Sequence, residues 1–138
     1  MQSFELCNPY PKSQIDMSFI DTLTHIVDRI EGSAGAIILG IDGILIERYV
    51  RDLDPALDLD LIATEFTTLI RRSMHTAADT ELGMLREMAF STDRLTFLFR
   101  PITPEYFLVL ALNPGGNVGR ARFELRKAQL ALESEFAI

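Results

Sequence analysis

The run Gly115-Gly116-Asn117-Val118-Gly119-Arg120 comes nearest, of any stretch in this chain, to a recognisable binding motif. A glycine-rich loop at a helix start can hold a phosphate, because its N–H groups point outward and the helix dipole favours an anion. The spacing argues against that use. The GxxxxGK(S/T) pattern is missing, and Arg120 is followed by Ala121 where a magnesium-binding Ser or Thr would stand. GxGxxG is missing as well. The glycines read instead as a tight strand-to-helix reversal with close packing.

The other reactive side chains are scattered. His25 and His75 are the two histidines, and neither has a His or Cys partner three or four residues away, so metal spacing is absent. No GxSxG elbow occurs, and Cys7 has no adjacent base to activate it. Asp58 and Asp60 stand at a helix start, where capping accounts for them better than general acid–base work. Arg71-Arg72 has the chemistry of an arginine finger for a GTPase, although a solvated helix face explains it more simply. The expectation is a protein with no active site, cofactor or metal of its own.

The totals narrow the class of protein further. A chain of 138 residues, 48% hydrophobic and 24% charged, suits one domain with a real core. The formal charge of −7 repels nucleic acid and anionic lipid. No apolar run approaches the roughly 18 residues that span a bilayer, and the first residues lack a signal-peptide pattern. With a single cysteine, this favours the cytoplasm. Charge is uneven: Arg120, Arg122, Arg126 and Lys127 cluster late, and Asp52, Asp54, Asp58 and Asp60 cluster mid-chain. Both clusters read as solvated helix ends and loops.

These residues must be positioned by a mixed fold. Residues 1–16 carry Pro9 and Pro11 and read as an extended N-terminal arm; residues 17–138 form the domain. Ser18 can cap a helix whose Phe19, Leu23, Ile26, Val27 and Ile30 share one face, with Gly32 ending it. Apolar runs at 34–41 and 44–50 flank Asp42-Gly43, a two-residue hairpin signal of type I′. A second helix opens at Asp58 or Asp60, with Ile62, Phe66, Leu69, Ile70, Ser73 and Ala77 as its buried stripe. Strands are expected at 84–91, at 95–101 with Leu95, Phe97 and Phe99 inward, and at 106–112. The last helix carries Val118, Ala121, Leu125, Ala128 and Leu132 on one stripe. The order is α-β-β-α-β-β-β-α. The fold class is an α/β (α+β) sandwich: a five-stranded antiparallel sheet of order 2-1-5-4-3 with helices on both faces. The first and last helices share one face, and the middle helix covers the other.

Two segments carry a family resemblance. The small-residue strand with its Asp42-Gly43 hairpin, and the segment from Asn113 through Gly115, Gly116, Asn117 and Gly119 to Lys127, resemble the Roadblock (dynein light-chain type) family over roughly residues 17 to 136. The resemblance implies a small dimeric module that serves as a scaffold or as a partner of Ras-like GTPases. Members pair through the third strand and second helix into one continuous sheet. The gliding-motility members accelerate GTP hydrolysis by reshaping the GTPase. A homodimer interface is therefore expected at Phe66, Leu69, Ile70, Ala77, Arg86, Met88 and Phe90. A GTPase-facing surface is expected at Thr64, Thr67, Thr68, Arg71, Arg72 and His75. The function implied is a dimeric non-catalytic regulator or adaptor that binds a small Ras-like GTPase. A purely structural scaffold is the alternative, and a small-molecule sensor a third reading.

Overall fold

The structure, a computed structural model, describes residues 18–136; the N-terminal arm and Cys7 lie outside them. Helix α1 spans Ser18–Arg29, and the side chain of Ser18, expected to cap it, is also outside the described residues. Strands β1 (Ser33–Gly40) and β2 (Leu45–Val50) follow, then helix α2 (Leu59–Asp79). Strands β3 (Met88–Ser91), β4 (Thr96–Thr103) and β5 (Tyr106–Leu112) lead to helix α3 (Val118–Phe136). The sheet is antiparallel throughout, in the order β2-β1-β5-β4-β3.

The two most uniformly apolar strands occupy the middle. β1 is buried along its whole length, and β5 is buried beyond Tyr106, because helices cover both sides of them. Alternation then sorts side chains between two cores. Ile38, Leu98, Leu108 and Leu110 pack with Leu23, Ile26 and Val27 of α1 and with Ala121, Leu125 and Ala128 of α3. Ile37, Phe97, Phe99 and Val109 pack with Leu59, Ala63 and Ile70 of α2. Phe66 ties α2 to the sheet edge, with its ring 4.5 Å from Phe90 and 5.9 Å from Phe97.

Several local expectations are corrected. The β1–β2 connection is not the two-residue type I′ turn. Gly40 N–H donates to Ile44 O at 2.8 Å, and Gly43 N–H donates to Gly40 O at 2.9 Å, so the loop has a third residue, Ile41. Of the Asp42-Gly43 pair only Gly43 takes a positive φ, +89°, the pattern of a three-residue loop closed by a left-handed glycine. Gly32 has φ +84° but lies in the turn beyond α1, past the helix terminus itself. β4 runs through Pro101 to Thr103 and is buried on both faces, since Leu98 meets the α1–α3 core while Phe97 and Phe99 meet the other.

β3 is shorter than the 84–91 run. Residues 84–87 precede it, and Glu87 there pairs with Arg122 at 2.8 Å and Arg100 at 3.6 Å. β2 and β3 remain as the two open edges of the sheet.

Candidate functional site

Asp58 caps α2, its carboxylate accepting from Leu61 N–H at 3.2 Å. From there the helix buries Leu59, Ala63, Thr67 and Ile70, a line spaced four, four and three residues apart. The expected stripe is thus rotated by about one position. Thr67, only 2% exposed, sits on the inward line. Its hydroxyl donates back to Ala63 O at 3.0 Å, which satisfies the group inside an apolar core. Leu69, read as inward, is instead 45% exposed, and Leu61 is exposed as well.

The outward side of α2 carries Thr64, Thr68, Arg71, Arg72 and His75, all exposed. Arg71 reaches over the β1–β2 loop and donates to Ile41 O at 3.1 Å. Toward the open edge, part-buried Phe66 meets Phe90 of β3, where Met88 is also part-buried; Leu69 is exposed and Ala77 part-buried on the helix, while exposed Arg86 and Met84 line a cleft with Arg100 and Gln129 on the α3 side. These make a mixed polar surface flanked by an apolar edge.

Part of the glycine loop's backbone is already hydrogen-bonded. Gly116 N–H donates to Asn113 O at 3.0 Å and Asn117 N–H to Glu31 O at 3.5 Å. The Asn117 side chain caps α3 by accepting from Arg120 N–H at 3.0 Å. Three N–H groups of this turn, those of Gly116, Asn117 and Arg120, are therefore already engaged.

The mid-chain carboxylates are likewise occupied: Asp60 pairs with Arg48 and Asp54 with Arg94. Hydrogen bonding from Ala56 N–H, and then Arg94, holds the Asp54 carboxyl below the ordinary carboxylate value. His25 lies on α1 and His75 on α2, on opposite faces of the sheet.

In fold, the chain matches the Roadblock/LC7 domain from Streptomyces avermitilis, with a TM-score of 0.74 at 14% identity over 85% of this chain and 96% of that one. It matches the gliding protein MglB from Thermus thermophilus with a TM-score of 0.74 at 15% identity, over 84% and 86%. With MglC from Myxococcus xanthus the likeness extends to sequence: 30% identity over 85% of this chain and 98% of that one, with a TM-score of 0.61. The chain belongs to the Roadblock/LC7 family. Neither a scan of protein-family models nor a search of curated proteins gives a match.

Within this Roadblock domain, the residues expected to face a GTPase are brought together on α2, with one exception. Thr67 is a core residue and offers nothing to a partner. Among the expected dimer residues, Ile70 is 1% exposed and belongs to the core, and Arg86 lies in the loop before β3. The sequence reading also missed Glu124. This glutamate is fully buried between α1 and α3 and meets Arg120 at 3.0 Å, Arg29 at 3.5 Å and Lys127 at 3.9 Å. A signal existed: Glu124 falls on the stripe of Ala121, Leu125 and Ala128, with cations four residues before and three after.

Proposed function

We propose that this Roadblock protein is a dimeric, non-catalytic regulator or adaptor. In this reading it works in the cytoplasm, binds a small Ras-like GTPase through the outward surface of its paired α2 helices, and stimulates GTP hydrolysis. The observation that carries the reading is the division of α2 into three faces. One face is buried in the core, one is the apolar flank at Leu69 beside the open β3 edge, and one is the polar surface of Thr64, Thr68, Arg71, Arg72 and His75.

An open strand edge leaves unpaired N–H and C=O groups, and pairing with the same edge of a second copy satisfies them. The apolar flank then covers its counterpart, and the polar faces form one broad surface suited to a reversible interface. The 30% identity to MglC, and the likeness in fold to gliding protein MglB, support a motility-type Roadblock protein over an unrelated sheet-and-helix module. The filled cores give no support to a sensor. Buried polar side chains among the described residues are Thr22, Ser33, Thr67 and Glu124, and Glu124 faces cations instead of a cavity.

The test is capture of Ras-like GTPases of the source cell, loaded with GDP or with a GTP analogue, followed by single-turnover hydrolysis. Binding with faster hydrolysis supports the reading. Binding without acceleration reduces it to an adaptor. Binding to no GTPase in either state leaves only the structural scaffold.

A further inference from the structure

The α1–α3 side of the sheet, opposite α2, carries a charge arrangement that its packing does not require. A carboxylate moved out of water is costly unless cations and hydrogen bonds replace its solvent. Glu124 is held by three: Arg120, Arg29 and Lys127. Their side chains are 33–44% exposed, so each keeps part of its charge facing solvent. One carboxylate against three cations leaves an excess of positive charge on a chain whose formal charge is −7.

Phe123 stands beside them, 55% exposed, with the Arg120 guanidinium 5.8 Å and the Lys127 ammonium 5.3 Å from its ring centre. We propose that this Arg29–Arg120–Phe123–Lys127 face is a second docking surface, and that its occupant is an acidic segment of a partner protein carrying an apolar side chain among its carboxylates.

Charge complementarity selects that occupant. Free arginine and lysine side chains lose rotamer entropy on binding; here the buried Glu124 already holds Arg120 at 3.0 Å and Arg29 at 3.5 Å, lowering the cost of engaging a carboxylate. The exposed ring between two of the cations offers an apolar anchor of the kind that dominates binding energy. A membrane or nucleic acid is disfavoured, because the acidic remainder of the chain repels an extended polyphosphate surface while a short peptide meets the local patch alone. A second copy is disfavoured because Asp54, Asp58 and Asp60 of its acidic stretch are engaged by Arg94, Leu61 N–H and Arg48. Asp28, which borders the patch on α1, is paired with Arg51 at 2.8 Å. The surface lies across the sheet from α2, so one molecule could engage both partners at once, and the two tests are independent.

The probe is a fluorescein-labelled peptide of glutamates and aspartates around one central leucine, titrated into the full chain by fluorescence anisotropy at low and at high salt. A lysine peptide, phosphatidylserine vesicles and duplex DNA serve as comparators. The expected result is saturable, salt-sensitive binding of the acidic peptide, weakened about tenfold by the paired change Arg120→Gln and Lys127→Gln. Phe123→Ser, at an exposed position, is expected to weaken it as well. Unchanged affinity in folded variants, or tighter binding of vesicles or DNA, overturns the proposal. If the paired variant does not fold, backbone amide shifts of the unaltered protein decide. Shifts centred on 25–29 and 120–127 support the surface, and shifts centred elsewhere or absent overturn it.

Discussion

Gly32 and Gly116 meet backbone to backbone: a Cβ on Gly32 would lie 2.8 Å from the Gly116 Cα. Asn113 N–H donates to Gly32 O at 2.7 Å alongside this contact. The loop after α1 and the loop before α3 are thereby locked together. That sets α1 beside α3 and brings Arg29 of one to Glu124 of the other. The paired glycines serve the packing of two loops.

A stability comparison follows from that contact. Gly32→Ala places a Cβ at φ +84° and against backbone, whereas Gly115→Ala meets only the conformational cost at φ +86°, with nothing within 4 Å of its added carbon. The expected losses are about 1 kcal/mol for Gly115→Ala and about 3 kcal/mol or more for Gly32→Ala, read by urea denaturation. Equal losses would show that the close approach is not what fixes Gly32.

His25 makes stability depend on pH. Burial first, then the charge of Arg29, lowers its pKa from 6.5; Lys127 adds to the effect, and Glu124 and Asp28 oppose it. Between the lowered folded value and 6.5, the unfolded chain binds more protons than the folded one. The contribution is therefore complete above 6.5 and is lost as pH falls through the window below it. His25→Gln is expected to shrink the drop in Tm between about pH 8 and about pH 5.5. A variant with the same drop as the parent would remove His25 from the account.

Much of the fold was legible because β1 and β5 are the most uniformly apolar runs, which places them at the centre of a sheet covered on both faces. Edges and polar core positions were harder to read. The 84–87 run alternates like a strand, yet only Met88–Ser91 pairs with β4, and Glu87 is engaged through its side chain by Arg122 of α3 and Arg100 of β4. Thr67 reads as surface because threonine is polar, while its bond to Ala63 O makes it acceptable in the core. Glu124 escapes notice for the same reason, although its place on the α3 stripe points inward.

Thr67 separates a core role from a partner-facing one. Its hydroxyl returns to a carbonyl of its own helix, so removing it leaves no donor stranded. Thr67→Val is expected to change stability by less than about 1 kcal/mol and to leave GTPase affinity unaltered. A loss of GTPase binding in a variant of normal stability would return Thr67 to the interface.

Leu69 tests the homodimer. At 45% exposed, it contributes little to the protomer core, so a charge there is tolerated by the isolated fold. Two copies meeting along the β3 edge and the α2 flank would bury it, and a buried unpaired carboxylate opposes association. Leu69→Glu is expected to convert a dimer to a monomer of near-normal Tm, as measured by light scattering at micromolar concentration. A parent protein that is already monomeric contradicts the proposed dimer outright.

Arg71 and Arg72 decide how a bound GTPase would be stimulated. A true arginine finger supplies charge to the transition state, and its loss costs roughly 10³-fold or more in hydrolysis. Arg71 is already committed to Ile41 O at 3.1 Å, which holds its guanidinium over the β1–β2 loop. Arg72 is exposed on the same helix. On the proposed reading, in which the partner is reshaped without receiving a catalytic group, the expected outcome of changing either to Ala is a loss of roughly tenfold or less, shared between weaker binding and slower turnover. Single-turnover hydrolysis at saturating Roadblock protein separates the two contributions. A thousand-fold fall in the saturated rate, with affinity intact, would make that arginine a donated finger and would replace reshaping as the mechanism.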